Sequence, residues 1–218
     1  MISRIIALAS VAGLTSALMA APLTFASGSF GNNTTVRMNW MTATGITAPE
    51  HSAIFDDLAD GNIHGVANVY PGLTISSSNS LATVTGNASL LGSSNPIGLK
   101  AVALAENSVQ TLTFATPIDY FSFISIDAST VAITVNYVGG GTSNHSNGSS
   151  ASSGNTGVFF GLYRNDQPQI TSLILDGNGG DGEWGLDSVE YGAVPEPGTM
   201  LVLGLGAAAA MAKRRRKA

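Results

Sequence analysis

The stretch IDYFSFISI, residues 118–126, decides the fold. It is apolar on both faces of the strand that its β-branched and aromatic residues predict. A strand that alternates cleanly has one wet face. This one predicts a central strand covered on both sides. The same pattern spreads outward from it. VAITVNYV (131–138) puts Val131, Ile133, Val135 and Tyr137 on one face, and TLTF (111–114) sets Leu112 and Phe114 against two threonines. VFFGLY (158–163), ITSLILD (170–176) and EWGLDSVEY (183–191) read as further strands. So does TVRMNW (35–40), where Val36, Met38 and Trp40 alternate with polar neighbours. Gly, Asn, Ser and Asp fill the gaps. Roughly nine to eleven short strands predict an all-β, antiparallel two-sheet β-sandwich, jelly-roll-like. A β-helix is the runner-up, disfavoured because no fixed repeat period is present.

The segment 139–157, GGGTSNHSNGSSASSGNTG, has too few apolar groups to join a core. It reads as a flexible loop between two strands.

The chain has 218 residues, which suits one domain with processing segments. There is no cysteine, so disulfides, thiolate metal sites and a cysteine nucleophile are excluded. Charge is segregated. Arg4 and the group Lys213, Arg214, Arg215, Arg216 and Lys217 hold most of the positive charge. Residues 27–196 carry three basic and fourteen acidic side chains, a net of −11. An acidic body is unsuited to a nucleic-acid backbone, whose counterions Lys and Arg must displace.

Both ends read as addresses. One arginine, an apolar run from Ile5 to about Ala21 and then small residues form a secretory signal peptide, 1–26. Signal peptidase would cut after Thr24-Phe25-Ala26, or alternatively after Ala20. At the other end, 13 apolar residues (200–212) precede the basic cluster. A comfortable helical span needs about 20 residues. The run predicts a short hydrophobic helix, and the basic end would hold it on the cytoplasmic side. Pro195 and Pro197 set the helix boundary. Between the tail (193–218) and the body (27–192), residues 192–194 form the one candidate linker.

This tail, with Val194-Pro195-Glu196-Pro197-Gly198-Thr199, the apolar run and the Arg-rich end, resembles the PEP-CTERM sorting signal of Gram-negative bacteria. The resemblance implies recognition at Pro195, Glu196 and Pro197 by an exosortase, a membrane-embedded cysteine peptidase. It also implies transient anchoring in the inner membrane, then delivery to the cell surface or an extracellular polysaccharide matrix. The body stretches IFDDLADGNIHGVANVYPGLTISSS, LTFATPIDYFSF and GEWGLDSVEYG resemble a β-sandwich domain common in PEP-CTERM proteins. That supports a sandwich and names no ligand.

Chemistry is sparse in the body. DGNGGDGEWGLD supplies Asp176, Asn178, Asp181, Glu183 and Asp187 as oxygen ligands, a candidate Ca²⁺ loop. Its spacing departs from the EF-hand, and the competing reading is an acidic hairpin. Asp56, Asp57 and Asp60 read as turn caps. His51, His64 and His145 stand in no paired metal spacing, and no G-x-S-x-G elbow is present. Trp184 is the candidate for stacking on a sugar ring, followed by Trp40, Tyr70 and Tyr163; the competing reading for both tryptophans is core. The sequence therefore predicts an exported, non-enzymatic, structural or carbohydrate-interacting sandwich. The alternatives are a secreted polysaccharide-active enzyme and a permanently anchored surface protein.

Overall fold

The computed structural model describes residues 23–26, 33–86, 99–105, 108–126, 128, 130–147, 157–164, 168–178 and 183–194. In chain order its elements are β1 (Leu23–Ala26), α1 (Asn33–Thr44), β2 (His51–Ala53), β3 (Gly61–Asn62), β4 (Leu73–Ser77), β5 (Thr83–Thr85), β6 (Ala101–Ala105), β7 (Val109–Ile118), β8 (Tyr120–Ile126), β9 (Thr130–Tyr137), β10 (Thr142–Ser146), β11 (Val158–Tyr163), β12 (Ile170–Asn178) and β13 (Glu183–Gly192). The first sheet has eight strands in the order β1-β11-β8-β13-β6-β5-β3, with β2 added on β13. The second has five, in the order β10-β9-β12-β7-β4. Every pairing among them is antiparallel. The two-sheet antiparallel expectation is met. The signal helix and the C-terminal helix lie outside the described residues. Among the described residues no helix is long and apolar enough to cross a membrane.

The main core lies between the sheets. Phe121, Phe123, Phe160, Trp184 and Leu186 of the first meet Leu73, Ile75, Leu112, Val131, Ile133, Leu173 and Leu175 of the second. Burying each such side chain contributes about 1.5–3 kcal/mol. A second cluster covers the outer face of the first sheet: Trp40 and Ile46 pack on Tyr120, Ile124, Ile126 and Phe159. This explains the doubly apolar stretch. All of β8 is buried, with Phe121 and Phe123 in the main core and Tyr120, Ile124 and Ile126 in the second cluster.

Residues 35–40 are helical, which corrects the strand expected there. Alternation over six residues also satisfies a helix, because Val36, Trp40 and Met41 share a helical face while Met38 points to solvent. The helix ends in a Schellman motif. Ile46 N–H donates to Met41 O (3.1 Å), Gly45 N–H donates to Thr42 O (3.4 Å), and Gly45 takes φ +72°. Gly45 was the overlooked stop signal. Trp40 lies directly on Gly161 of β11, where an added Cβ would come within 2.9 Å of the indole.

The polar segment 139–157 is also only partly a loop. Gly139 and Gly140, with φ of 88° and 90°, turn the chain into the edge strand β10. That strand pairs with β9 from Ala132↔Ser146 to Asn136↔Thr142. Asn147 then reaches inside. Its Oδ1 accepts from Val131 N–H (3.0 Å) and its Nδ2 donates to Ser125 Oγ (3.0 Å). Three side chains line up across the β9–β10 hairpin: Tyr137 OH of β9, then Ser143 Oγ (2.8 Å) and His145 Nε2 (2.7 Å from Ser143) of β10. Burial pushes the His145 imidazole below its usual pKa.

In β13, Leu186 and Val189 both face the core although three positions separate them. A bulge makes this possible: Asp187 pairs with Ile124 and Glu190 with Ser122, and Ser188 takes φ 49°.

Strand β1 pairs along its length with β11, from Leu23↔Tyr163 to Ala26↔Phe160, and Phe25 packs on the second cluster. A cut after Ala26 would strip this strand and open the β11 edge. An N-terminally processed chain is therefore expected to start upstream of Leu23, as the alternative cut after Ala20 would leave it. N-terminal sequencing checks this, and a start at Ser27 would show that β1 is not part of the mature sheet.

Candidate functional site

The acidic loop does not assemble a cation site among the described residues. Asp176 is exposed at the end of β12, Glu183 opens β13, and Asp187 is fully buried on β13. Asp187 Oδ1 accepts the Ser188 N–H at 2.6 Å. Asp181 and the Asn178 side chain lie outside the described residues. No group of three His, Asp or Glu side chains able to hold a metal ion occurs among the described residues. Trp184 corrects the stacking expectation. It is 0 % exposed, and an added Cβ on Gly177 would lie 2.5 Å from its ring. The indole fills the core and offers no face to a sugar. Trp40 and Tyr70 are buried too, and Tyr163 packs partly on the second cluster.

The aspartates of the first long loop tie the body together. Asp56 Oδ1 accepts the N–H groups of Leu99 (2.7 Å) and Lys100 (2.8 Å). Asp57 accepts the Tyr70 hydroxyl. Asp60 pairs with Lys100 Nζ at 2.9 Å. His64 Nδ1 accepts Ser77 N–H at 2.8 Å. These roles are broader than turn capping.

A cleft of about 290 Å³ opens at one end of the sandwich, between the two sheets. Its first-sheet wall comes from Glu50 and His51 at β2 and from Tyr191, Gly192 and Ala193 at the end of β13. Its second-sheet wall comes from Pro71 and Gly72 before β4 and from Phe114, Thr116, Pro117 and Ile118 of β7. Those residues project because β7 is irregular. Ile170 and Ser172, two apart, pair with Ile118 and Thr113, five apart. The cleft is apolar at its base, where Tyr191 packs on Phe114 (5.3 Å) and under His51 (5.1 Å). The Tyr191 hydroxyl donates to Pro71 O at 2.9 Å. Glu50 supplies a half-exposed carboxylate at the rim.

The same corner holds the root of the tail, and here the linker expectation fails. Ala193 N–H donates to Glu50 Oε2 at 2.8 Å, and Val194 N–H donates to Asp119 Oδ2 at 2.7 Å. Asp119 is nearly buried and ion-paired with Arg164. It also accepts from Gln169 Nε2 at 3.2 Å. Its own N–H donates to Gly192 O at 2.8 Å. Val194 packs on the second cluster. Residues 192–194 are held by the body. The available signal was Asp119, a lone acid inside an apolar run.

A second hollow, about 250 Å³, lies between α1 and the first sheet. Arg37 grips Glu190 at its edge through Nε (2.9 and 3.1 Å) and Nη2 (2.5 Å). Ser122 Oγ donates to the same carboxylate at 3.2 Å. Arg37 is one of three basic residues of the body, and its partner is invisible in sequence, 153 positions away.

Four tyrosines have raised pKa values. Burial pushes Tyr191 up to about 12, with the nearby Glu50 charge adding to it. Burial also raises Tyr70, helped by Asp57, and raises Tyr120 and Tyr137. A phenol whose folded pKa exceeds its unfolded value stabilises the fold fully below about pH 10. That contribution is lost as pH rises through the folded value. The melting temperature is therefore expected to fall steeply between about pH 10 and pH 12, with tyrosinate absorbance rising in the same step. Tyrosines titrating near pH 10 in a still-folded protein would contradict this.

Residues 193–217 match the family model of the PEP-CTERM protein-sorting motif. The chain carries that sorting signal, the mark of export through the membrane-associated exosortase pathway. Comparison with curated proteins gives no match. Among solved structures, the chain is similar to the xylan-binding domain from CBM 22, at 11 % identity and TM-score 0.40, covering 68 % of this chain and 96 % of that one. It is similar to TmCBM61, solved with β-1,4-galactotriose, at 15 % identity and TM-score 0.36, covering 62 % and 99 %. A third is the enzymatically active domain of bacteriophage CBA120 tailspike protein 4, at 17 % identity and TM-score 0.36. That match covers 61 % of this chain and 22 % of the tailspike chain.

Proposed function

We propose that this is an exported protein of a Gram-negative bacterium, parked in the inner membrane by its tail and passed by an exosortase-like peptidase to the cell surface or extracellular matrix. There it acts without catalysis, as structural or carbohydrate-interacting material. The observation that carries this reading is the sorting motif at 193–217, directly after the last strand of a folded all-β body. Signal peptidase acts at the other end. The basic residues Lys213 to Lys217 hold the tail on the cytoplasmic side until Pro195, Glu196 and Pro197 are recognised.

The end cleft supports a sugar as ligand. It joins an apolar base, which suits the CH faces of a pyranose, with a carboxylate and an imidazole at the rim. The carboxylates near both hollows are already engaged: Glu190 by Arg37 and Glu50 by Ala193 N–H. That supports binding over hydrolysis. A Ca²⁺ ion in the 176–187 loop is compatible with the reading, and calcium titration of the exported form tests it.

Intact mass of the protein from membrane and medium fractions tests the sorting reading. A released form lacking the signal peptide and everything after about residue 197 supports it. Retention of the basic end in the membrane would sink it. Binding of the released form to insoluble polysaccharide, without new reducing ends, tests the second half.

A further inference from the structure

We propose that Glu50 and Asp119 form a clasp on the tail root that must open before the sorting motif can be processed. This rests on the sorting reading above. A peptidase takes its substrate extended, with main-chain hydrogen bonds on both sides of the bond to be cut. Here the two residues preceding Pro195 have no amide to offer. Ala193 N–H is spent on Glu50 and Val194 N–H on Asp119. The Val194 side chain is packed on the second cluster. Asp119 cannot swing away easily, because Arg164 and Gln169 hold it. Gly192 keeps the strand end tight: an added Cβ would lie 2.6 Å from Glu50 Cβ and 2.6 Å from the Tyr120 hydroxyl oxygen. Glu50 is itself placed by its N–H, which donates to Tyr120 OH at 2.7 Å.

The folded body therefore runs up to the residue before the motif. Cleavage within Pro195–Pro197 breaks a peptide C–N bond. Water supplies hydroxyl to the acyl carbon and its remaining proton goes to the leaving amine. Engaging the residues ahead of that bond requires local opening of 193–194, a fluctuation smaller than global unfolding. The clasp keeps an unfolded or mispaired body distinguishable from a finished one, because the two acceptors come from segments far apart in the chain. Glu50 and Asp119 act here as positioning residues.

The test is a pulse-chase of the full chain in the producing cells, following precursor and released form. Glu50→Ala is expected to speed processing roughly three- to tenfold, the range for losing one charge-assisted hydrogen bond at a half-exposed site. Glu50→Gln keeps an acceptor and should behave as wild type. Hydrogen exchange at Ala193 and Val194 should rise in Glu50→Ala while the melting temperature of the body stays unchanged. A second variant leaves the clasp intact: a Gly-Ser-Gly-Ser insertion after Val194 gives the peptidase free chain and should also speed processing. Unchanged or slower processing in Glu50→Ala and in the insertion variant overturns the clasp while leaving the sorting reading intact. If the wild-type tail is never removed, the sorting reading fails and the clasp falls with it.

Discussion

Trp184→Ala is expected to destabilise the body by about 3–5 kcal/mol, the range for removing a buried tryptophan from a core. Domains of this size hold only about 5–15 kcal/mol in total, and the melting temperature should drop by about 10 °C or more. The indole is fully buried, belongs to the main core and lies on Gly177 of β12. Gly177→Ala should act in the same direction by overpacking, by about 1–3 kcal/mol. Thermal unfolding of the exported form checks both. Trp184→Ala melting like wild type would overturn the core role of the indole.

Arg37→Ala should cost about 2–3 kcal/mol by leaving the Glu190 carboxylate largely buried without its cation. Glu190 keeps only 10 % of its side chain exposed, against 34 % for Arg37. The exposed side of the pair moderates the loss. The paired change Arg37→Met with Glu190→Gln should recover most of the stability, because the uncompensated charge is gone. Denaturant unfolding of the two variants separates these outcomes. Equal stability of Arg37→Ala and wild type would mean that solvent reaches Glu190 freely. Arg37 sits on α1 and Glu190 on β13, so the pair also fixes how the helix lies on the sheet.

The strands were legible in the sequence wherever alternation or a doubly apolar run was long enough to exclude a helix. The segments 118–126, 131–138 and 158–163 meet that condition. TVRMNW does not: six alternating residues fit two periods, and only Gly45 beyond them settles the matter. The strand at 142–146 was hidden for a different reason. An edge strand needs main-chain partners on one side only, so polar side chains suffice. The candidate site was barely legible. Glu50, Asp119 and Tyr191 come from distant positions and converge through topology, which no local motif encodes. The buried tryptophans show the converse, since an aromatic residue beside an acidic loop reads the same whether it faces solvent or the core.

β13 is the last strand of the body to be synthesised, yet it lies inside the first sheet, bonded to β8 on one side and to β6 and β2 on the other. Until it arrives, those three strands have no common neighbour and Trp184, Leu186 and Val189 are missing from the core. A chain emerging from its N-terminus thus cannot close its first sheet early. The strands of the second sheet are all made before β13, but the first sheet is joined only when residues 183–192 are available. On the sorting route proposed above, the next segment would be the one held by the membrane, so the body would complete its fold beside the membrane surface, on a tether.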